Sequence, residues 1–429
     1  MKSIYITLVL ALLLTGNAFA VQRELIVANS LGETLDAVNL EDSTVSPFID
    51  ELGLFPNDIA TSGNIGIAVN SGSNDLFFYD LITLQRTGAC FVGDSRNPYI
   101  GAFLNADTFY VTNLVASTVT KVKTSDRSII TEFPVGDGID ADSPQGIVIR
   151  DRRAYICLAS FNDLFEYDAG KLEVRDCNND TLIARVTVGV NPQIARFGHD
   201  GYLYILCTGN YADIEGKLYK FDPNNNSVMD SLAIGGYPGG LAITAQGVAF
   251  LAAGGWPPPV KMTTSGLVFV DRRDTVPIGA KSGGLVYTVS LDAFALLHGP
   301  VNPLNADWGV TSMLTVSDST VITTNFADDT ITEIDSAGAV LARFSVGDGP
   351  VALAKIPSCF AIKGDANGSG GISISDAVYI IAFIFGGGPQ PAVYYTGDMN
   401  CSGDVTISDS VALIAHIFGG GPGSCGCAD

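Results

Sequence analysis

The sequence predicts an all-β seven-bladed propeller followed by a small all-α C-terminal domain made of paired calcium loop–helix motifs. Two observations predict this architecture. A short turn rich in Gly, Asn and Asp recurs before an apolar strand, and its anchor residues are Pro56, Pro98, Pro144, Pro192, Pro238, Trp308 and Pro350. The tail then contains two similar copies of one motif, beginning at Gly364 and Gly397. We therefore expect a signal peptide over 1–20, a propeller over 21–357 and a calcium-binding domain over 358–429.

Each anchor strand is followed by further β-rich runs, and these give four short strands in every 40 to 50 residues. The expected third strands include DLFEYDA at 163–169 and LVFVDRR at 267–273. Strands at this spacing, with turn residues between them, are typical of a β-propeller. The N-terminal run ELIVANS has no anchor before it, and Val351–Ile356 has no strands after it. We expect these two runs to pair and close the ring, which removes the exposed sheet edges.

The body resembles the YVTN and NHL-type propellers. The resemblance is carried by Tyr110-Val111-Thr112-Asn113 and by the VG-x-x-P turns at Val188–Pro192 and Val346–Pro350. It implies a propeller fold, but it implies no particular activity, because propellers carry many functions.

The two tail motifs have the spacing of calcium-binding loops. An EF-hand loop places oxygen ligands at positions 1, 3, 5, 7, 9 and 12, with Gly at position 6. In the first copy the ligand positions hold Asp365, Asn367, Ser369, Gly371, Ser373 and Asp376. In the second copy they hold Asp398, Asn400, Ser402, Asp404, Thr406 and Asp409. Because Ser replaces a carboxylate at position 5, we expect two Ca²⁺ sites that need the abundant calcium found outside cells.

Each loop leads into an apolar run that ends in IFGGGP, so we expect one short helix after each loop. Two calcium loops with Asp at position 12, each followed by one helix, resemble the type I dockerin domain. The resemblance implies that the tail tethers a secreted protein to a cohesin-like scaffold module. It also implies that loop positions 10 and 11 contribute to partner choice, which here are Ile374, Ser375, Ile407 and Ser408.

Residues 1–20 predict export of the chain. Lys2 precedes an apolar run over Ile4–Leu14, and Ala18-Phe19-Ala20 forms an A-x-A cleavage site. A membrane anchor is the alternative, but we expect no membrane insertion after the signal is removed, and a secreted or cell-surface location. The eight Cys allow disulfides in that compartment. In the tail we consider the pairings 401–425 and 359–427, whereas Cys157 and Cys207 fit buried strand positions better than bridges.

Three features of the body are candidates for a ligand site on the propeller face. The acidic loop with Asp137, Asp140 and Asp142 fits a cation or sugar site, and a solvated acidic turn is the alternative. Trp256, His298 and Trp308 fit a wall over the channel mouth that stacks on sugars, and a structural cap is the alternative. A set of Asn residues fits either turn capping or channel lining: Asn29, Asn70, Asn113, Asn210 and Asn325.

Composition argues against some classes of function. The formal net charge of −22 argues against nucleic acid as a partner. Three His in the whole chain give poor support for a clustered-His metal enzyme. We expect a secreted binding or scaffold protein whose propeller presents a polysaccharide or protein ligand. The alternative is an extracellular carbohydrate-active enzyme, either a glycoside hydrolase or a polysaccharide lyase, which two channel carboxylates about 5–10 Å apart would indicate.

Overall fold

The computed structural model describes residues 24–138, 142–161, 166–254, 283–356, 364–367, 372–389, 391, 394–400 and 405–419. The predicted signal peptide and the four tail cysteines lie outside these residues. Within the described residues no helix is long and apolar enough to cross a membrane.

The described part of the body consists of short strands. In chain order they are β1 (Glu24–Asn29), β2 (Thr34–Asn39), β3 (Thr44–Glu51), β4 (Pro56–Ser62), β5 (Ile65–Asn70), β6 (Asp75–Asp80), β7 (Gln85–Phe91), β8 (Pro98–Asn105), β9 (Thr108–Asn113), β10 (Thr118–Lys123), β11 (Ser128–Pro134), β12 (Pro144–Arg150), β13 (Arg153–Leu158), β14 (Ala169–Asp176), β15 (Thr181–Val190), β16 (Pro192–Phe197), β17 (Leu203–Cys207), β18 (Lys217–Asp222), β19 (Ser227–Ala233), β20 (Gly240–Ile243), β21 (Val248–Ala252), β22 (Gly284–Ser290), β23 (Ala295–His298), β24 (Leu304–Ala306), β25 (Val310–Thr315), β26 (Thr320–Asn325), β27 (Thr330–Asp335), β28 (Val340–Ser345) and β29 (Pro350–Ile356).

These strands form seven antiparallel blades, which confirms the predicted seven-bladed propeller. Blade 1 has the strand order β29-β1-β2-β3, and blades 2 to 7 follow in chain order from β4, β8, β12, β16, β20 and β25. Blade 6 carries a fifth strand, β24, which pairs with β22. Hydrophobic side chains of neighbouring blades pack together between the sheets. One such cluster joins Ile26 and Ala352 of blade 1 to Ile59 and Tyr79 of blade 2.

The ring closes by pairing its first and last strands, as the sequence predicts. β29 lies beside β1, with Glu24 opposite Ile356, Ile26 opposite Ala354 and Val27 opposite Leu353. The last described strand of the body therefore supplies the innermost strand of blade 1. The pairing hydrogen-bonds the inner edge of β1, so that edge is not left open to a foreign strand.

A repeated turn precedes the innermost strand of every blade except blade 6. The residue before the anchor has a left-handed backbone, with φ of 51° at Asn97, 56° at Asn191 and 66° at Gly349. Its carbonyl accepts a backbone N–H from the residue that follows the second strand, at 3.0 Å from Leu114 to Asn97 and 2.9 Å from Thr208 to Asn191. The bond ties the start of the first strand to the end of the second, so both loops lie on one face.

The prediction that Trp308 replaces the anchor Pro in blade 7 is wrong by two residues. Val310 pairs with Asn325 as Pro56 pairs with Asn70, and Gly309 before it has φ 80°. The carbonyl of Gly309 accepts the N–H of Phe326 at 2.9 Å. Valine fits here because the turn requires a residue with extended backbone after a left-handed one, and glycine supplies the left-handed conformation.

The third strands of blades 4 and 6 also differ from the prediction. β13 pairs with β14, so Ala169–Asp176 and not 163–169 is the third strand of blade 4. β21 pairs with β22, so Gly284–Ser290 is the third strand of blade 6, and 267–273 lies outside the described residues. In blade 4 both candidate runs alternate polar and apolar residues. β14 is the run followed by a tight turn at Asp176–Asp180 that lets β15 pair back onto it.

The cysteines of the body are buried thiols. Cys90, Cys157, Cys177 and Cys207 are free, and all four are buried. Cys157 and Cys207 lie in one hydrophobic cluster between blades 4 and 5, which confirms their predicted role as small core residues.

The tail contains α1 (Ile374–Gly386) and α2 (Ile407–Gly419). Ser373 caps α1 in a capping box with Asp376, and Gly387 ends it with φ 65°. Ala377 and Ile380 of α1 and Leu413 of α2 share one buried cluster, so the two helices pack on each other. This confirms the predicted pair of short helices.

Candidate functional site

The propeller surrounds a central channel that its innermost strands line. The channel has a volume of about 1540 Å³ and is open at its mouth. Every innermost strand begins at the face that carries the anchor turns, so residues just after an anchor lie near that mouth. Side chains further along line the deeper part, where Phe103, Phe197 and Leu314 make the wall apolar.

Two opposite charges lie in the channel wall. Asp58 on β4 accepts the backbone N–H of Gly101 from the next blade at 2.9 Å. Arg196 on β16 donates to the carbonyl of Ala195 at 3.0 Å. The two side chains influence each other electrostatically, but no ion pair within 4.0 Å joins them among the described residues.

Burial shifts the ionisation of both groups. It raises the pKa of Asp58 to about 6, although the Gly101 N–H and the Arg196 charge act in the opposite direction. Burial also lowers the pKa of Arg196, against the opposing effect of Asp58. Desolvation disfavours the charged form of any group, and here it outweighs the attraction across the channel.

Four tyrosines form an arc around the channel mouth, which we call the tyrosine arc: Tyr99, Tyr167, Tyr211 and Tyr237. The ring centroids of Tyr167 and Tyr211 are 6.3 Å apart, and those of Tyr211 and Tyr237 are 5.6 Å apart with the planes inclined by 40°. Burial raises the pKa of Tyr99 to about 12, with smaller contributions from Tyr211, Tyr167 and Asp58. The arc therefore reaches down to the charged pair.

Hydrogen bonds hold the arc in place. The side-chain amide of Gln193 donates to the hydroxyl of Tyr211 at 2.8 Å, and the hydroxyl of Tyr237 donates to the carbonyl of Ala212 at 2.6 Å. Asn210 accepts three successive backbone N–H groups, from Ala212, Asp213 and Ile214, which fixes the turn that carries Tyr211.

The predicted acidic loop is tied to the protein by cations of its own blade. Lys171 lies 2.6 Å from Asp137 and 3.9 Å from Asp142, and Asp142 is buried. Asp140 lies outside the described residues. The buried carboxylate of Glu173 accepts the N–H of Gly136 at 2.9 Å and pairs with Arg185. Because Lys171 pairs with both carboxylates, this part of the loop has the character of a structural turn.

The structure does not bring the predicted aromatic wall together at the mouth. Trp256 lies outside the described residues. His298 lies on β23, the outer strand of blade 6, where its Nδ1 is 2.7 Å from the hydroxyl of Thr288. Trp308 packs against Gly283, and its backbone N–H donates to Asp328 at 2.7 Å. The run from Leu291 to Asp307 contains the fourth strand of the blade, β23, and the additional strand β24.

The predicted Asn residues mainly join second strands to third strands. Asn113 is buried and donates to Thr118 and Thr120 at 2.9 and 2.8 Å, and Asn325 donates to Thr330 and Thr332 at 3.0 and 2.8 Å. Asn29 and Asn70 make the equivalent single contacts. Asn210 alone caps its own turn, so four of the five neither line the channel nor cap their backbone.

The two tail loops repeat one set of hydrogen bonds. Asp376 accepts the N–H groups of Asn367 and Ser373 at 3.1 and 2.8 Å. Asp409 accepts those of Asn400 and Thr406 at the same distances. Both carboxylates are fully buried, and Asp365 and Asp398 at the loop starts are nearly so. Ser369, Gly371, Ser402 and Asp404 lie outside the described residues.

The residues at loop positions 10 and 11 begin the two helices. Ile374 and Ile407 are each 46% exposed, and Ser375 and Ser408 are exposed beside them. Each Ile starts an exposed apolar stripe along its helix, which we call the helix stripes: Ile374, Val378, Ile381 and Phe385 on α1, and Ile407, Val411, Ile414 and Phe418 on α2. Phe385 and Phe418 are 69% and 72% exposed, so the two stripes match closely.

Sequence reasoning missed the tyrosine arc and the Asp58–Arg196 pair. Tyr99 and Gln193 directly follow their anchors, and Tyr237 directly precedes one. The signal available was therefore position relative to the anchor, since residues next to an anchor lie at the channel mouth in any propeller of this type.

No family model matches the chain, and no curated protein sequence matches it. Solved structures match it in fold. The chain is similar to Kuenenia stuttgartiensis hydrazine synthase, with 16% identity and a TM-score of 0.52 over 69% of this chain and 88% of that one. It is also similar to streptogramin B lyase, with 10% identity and a TM-score of 0.50 over 71% of this chain and 91% of that one. At such low identity the likeness shows the propeller fold alone.

The raised pKa of Asp58 predicts a pH-dependent stability. The folded state holds this proton more tightly than the unfolded chain does, so stability is lost as pH rises from about 4 to about 6. We expect Asp58→Asn to be more stable than the native protein at pH 7.5 by on the order of 1 kcal/mol, because channel water screens part of the effect. At pH 4 the two should be equally stable in urea unfolding. An equal stability at both pH values would contradict the assignment.

Proposed function

We propose that this chain is an exported binding protein with two modules. The propeller over 21–357 presents a ligand at its channel mouth. The tail over 358–429 binds two Ca²⁺ ions and attaches the propeller to a cohesin-type scaffold module. The protein then acts outside the cell or at its surface, after removal of residues 1–20, with no nucleic acid as partner.

The main support for this proposal is the pair of buried carboxylates at the ends of the tail loops. The partners of Asp376 and Asp409 among the described residues are all neutral donors: backbone N–H groups and the hydroxyls of Ser373 and Thr406. A buried charge costs several kcal/mol unless a countercharge compensates it. A carboxylate has about four lone-pair sites, so both side chains keep capacity for a metal ion. Ca²⁺ fits because the loop positions offer oxygen ligands.

The helix stripes support attachment to a protein partner. Val378 and Val411 are 59% and 60% exposed, and the other matched pairs agree as closely. Exposed apolar side chains in a row, four on each helix, are typical of an interaction surface. The resemblance to type I dockerins supplies the kind of partner, since Ile374-Ser375 and Ile407-Ser408 take the loop positions that contribute to partner choice in that family.

The second candidate function is a carbohydrate-active enzyme on the propeller, and Asp58 is the observation that favours it. A channel carboxyl with a pKa of about 6 is suited to donating a proton near neutral pH. The other lining carboxylates among the described residues, Glu24 and Asp318, belong to the opposite end of the innermost strands. Cleavage of a polysaccharide that Asp58→Asn abolishes would favour this candidate over a binding protein.

Calcium titration tests the metal sites. Isothermal calorimetry of the full chain should detect two Ca²⁺ ions. We expect Asp376→Asn or Asp409→Asn to weaken one site by at least about tenfold, because each removes a charged ligand. The matched control is Asp94→Asn, an exposed carboxylate between β7 and β8. Titrations that are identical in the native protein and in the double variant Asp376→Asn/Asp409→Asn would refute the metal assignment.

Docking tests the attachment surface. A recombinant type I cohesin module should bind the full chain in calcium chloride and release it in EGTA. Because the two stripes are equivalent, we expect the double variant Phe385→Ala/Phe418→Ala to lose at least about thirtyfold in affinity, as for an aromatic hot spot. Met229→Glu, an exposed apolar residue on the outer strand β19, is the control. Failure of a panel of cohesin modules to bind would exclude this partner class.

A further inference from the structure

We propose that the tyrosine arc and the Asp58–Arg196 pair form a binding site for a neutral saccharide at the channel mouth. The inference rests on that part of the proposed function in which the propeller presents a ligand, and it is independent of the tail. The site draws on blades 2 to 6, so it exists only in the closed ring.

The first support is the mixture of unused donors and acceptors at the mouth. The hydroxyl of Tyr211 accepts from Gln193, which leaves its own proton without an acceptor among the described residues. The guanidinium of Arg196, deeper in the channel, makes a single hydrogen bond among the described residues, to a backbone carbonyl. The side-chain oxygen of Gln193 receives no hydrogen bond in the same part of the chain. Hydroxyl groups of a sugar both donate and accept, so they complement such a set.

The second support is the arrangement of the rings. Tyr211 is 54% exposed, and its plane is inclined by 40° to that of Tyr237, so the two rings form an angled apolar surface. Tyrosine supplies a large apolar face at little entropic cost and keeps a polar tip. Sugar rings present C–H groups on their faces and hydroxyls at their edges, which suits a tyrosine arc surrounding polar groups.

The backbone of Tyr211 determines which variant tests the site without disturbing the turn. Its φ is 59°, a left-handed conformation that is unfavourable for a bulky residue. Asn210 holds the turn by accepting three backbone N–H groups. Gly or Asn would occupy this position at lower cost. Asn at this position therefore keeps the turn while it removes the ring.

The charges select a neutral ligand. A cationic ligand, such as the quaternary ammonium that aromatic cages bind, would be placed close to Arg196. An anionic ligand would meet Asp58 and a chain of formal net charge −22. Asp58 and Arg196 balance each other for a neutral molecule, and both remain available for hydrogen bonds to its hydroxyls.

The experiment is a calorimetric titration of the full chain with defined probes: cellohexaose, xylohexaose, laminarihexaose and mannohexaose, with hexagalacturonate and tetramethylammonium as charged comparators. We expect saturable binding of at least one neutral hexasaccharide below about 5 mM, the weak end of the affinity scale. We expect Tyr211→Asn and Tyr237→Ala each to weaken it about fivefold to tenfold. Tyr211→Asn keeps the left-handed turn, so weaker binding by this variant cannot be attributed to unfolding.

The control variant is Phe48→Ala, an equally exposed aromatic on the outer strand β3 with φ 53°, which should bind as the native protein does. Binding of only a charged comparator, binding of none of the probes, or full affinity in both tyrosine variants would overturn the proposal. Calcium uptake and cohesin docking by the same preparations separate this outcome from failure of the tail assignment. A preparation that docks but binds no saccharide refutes this site alone.

Discussion

Pairing between the first and last strands of the body is the constraint on which the rest of this structure depends. β1 and β29 are separated by more than 300 residues of sequence, yet their register runs without a break from Glu24–Ile356 to Ala28–Ala352. Without that pairing blade 1 would lack its inner strand and the channel would be open along one side. Asp58 and Arg196 come from blades 2 and 5, so they face each other only because the ring is closed.

The repeated left-handed turn positions the loops of every blade except blade 6. It binds the loop before the first strand to the loop after the second, and both loops then lie on the mouth face. Tyr211 and Tyr237 belong to different loop types on this face, and the hydrogen bond from the hydroxyl of Tyr237 to the carbonyl of Ala212 holds them side by side. The side chains at the channel mouth differ from blade to blade, whereas each blade keeps the same order of antiparallel strands. The backbone bond fixes the position, and the side chain next to the anchor is free to differ.

Much of the fold was predictable because each blade repeats a local pattern. The anchor turns predict seven innermost strands. The first run, which has no anchor, and the last run, which has no strands after it, together predict the ring closure. The strand prediction is wrong where two β-rich runs could each form the same strand of a blade. The runs at 163–169 and 169–176 have similar alternation, and only long-range pairing with β13 selects the second. Val310 was missed because the turn needs a backbone conformation that Gly309 supplies without a proline.

The candidate site was less predictable, for a physical reason. The tyrosine arc has no shared spacing or motif, since Tyr99 lies on β8 and the other three rings come from three different loops. The loop carboxylates of the tail were predictable because their spacing is local, and Asp376 and Asp409 do make equivalent bonds. Trp308 and His298 were selected because Trp and His are rare in this chain. The rarity of a residue type does not indicate whether it lies on the inner or the outer edge of a blade.

We propose that the doubled loop is a pair of calcium sites attached to a ligand-binding propeller. The most direct measurement is a crystal structure of the full chain grown with excess calcium chloride, with anomalous scattering to identify the ions. We expect two Ca²⁺ ions, one bound by Asp365 and Asp376 and the other by Asp398 and Asp409. Well-ordered loops without an ion at either position would contradict it.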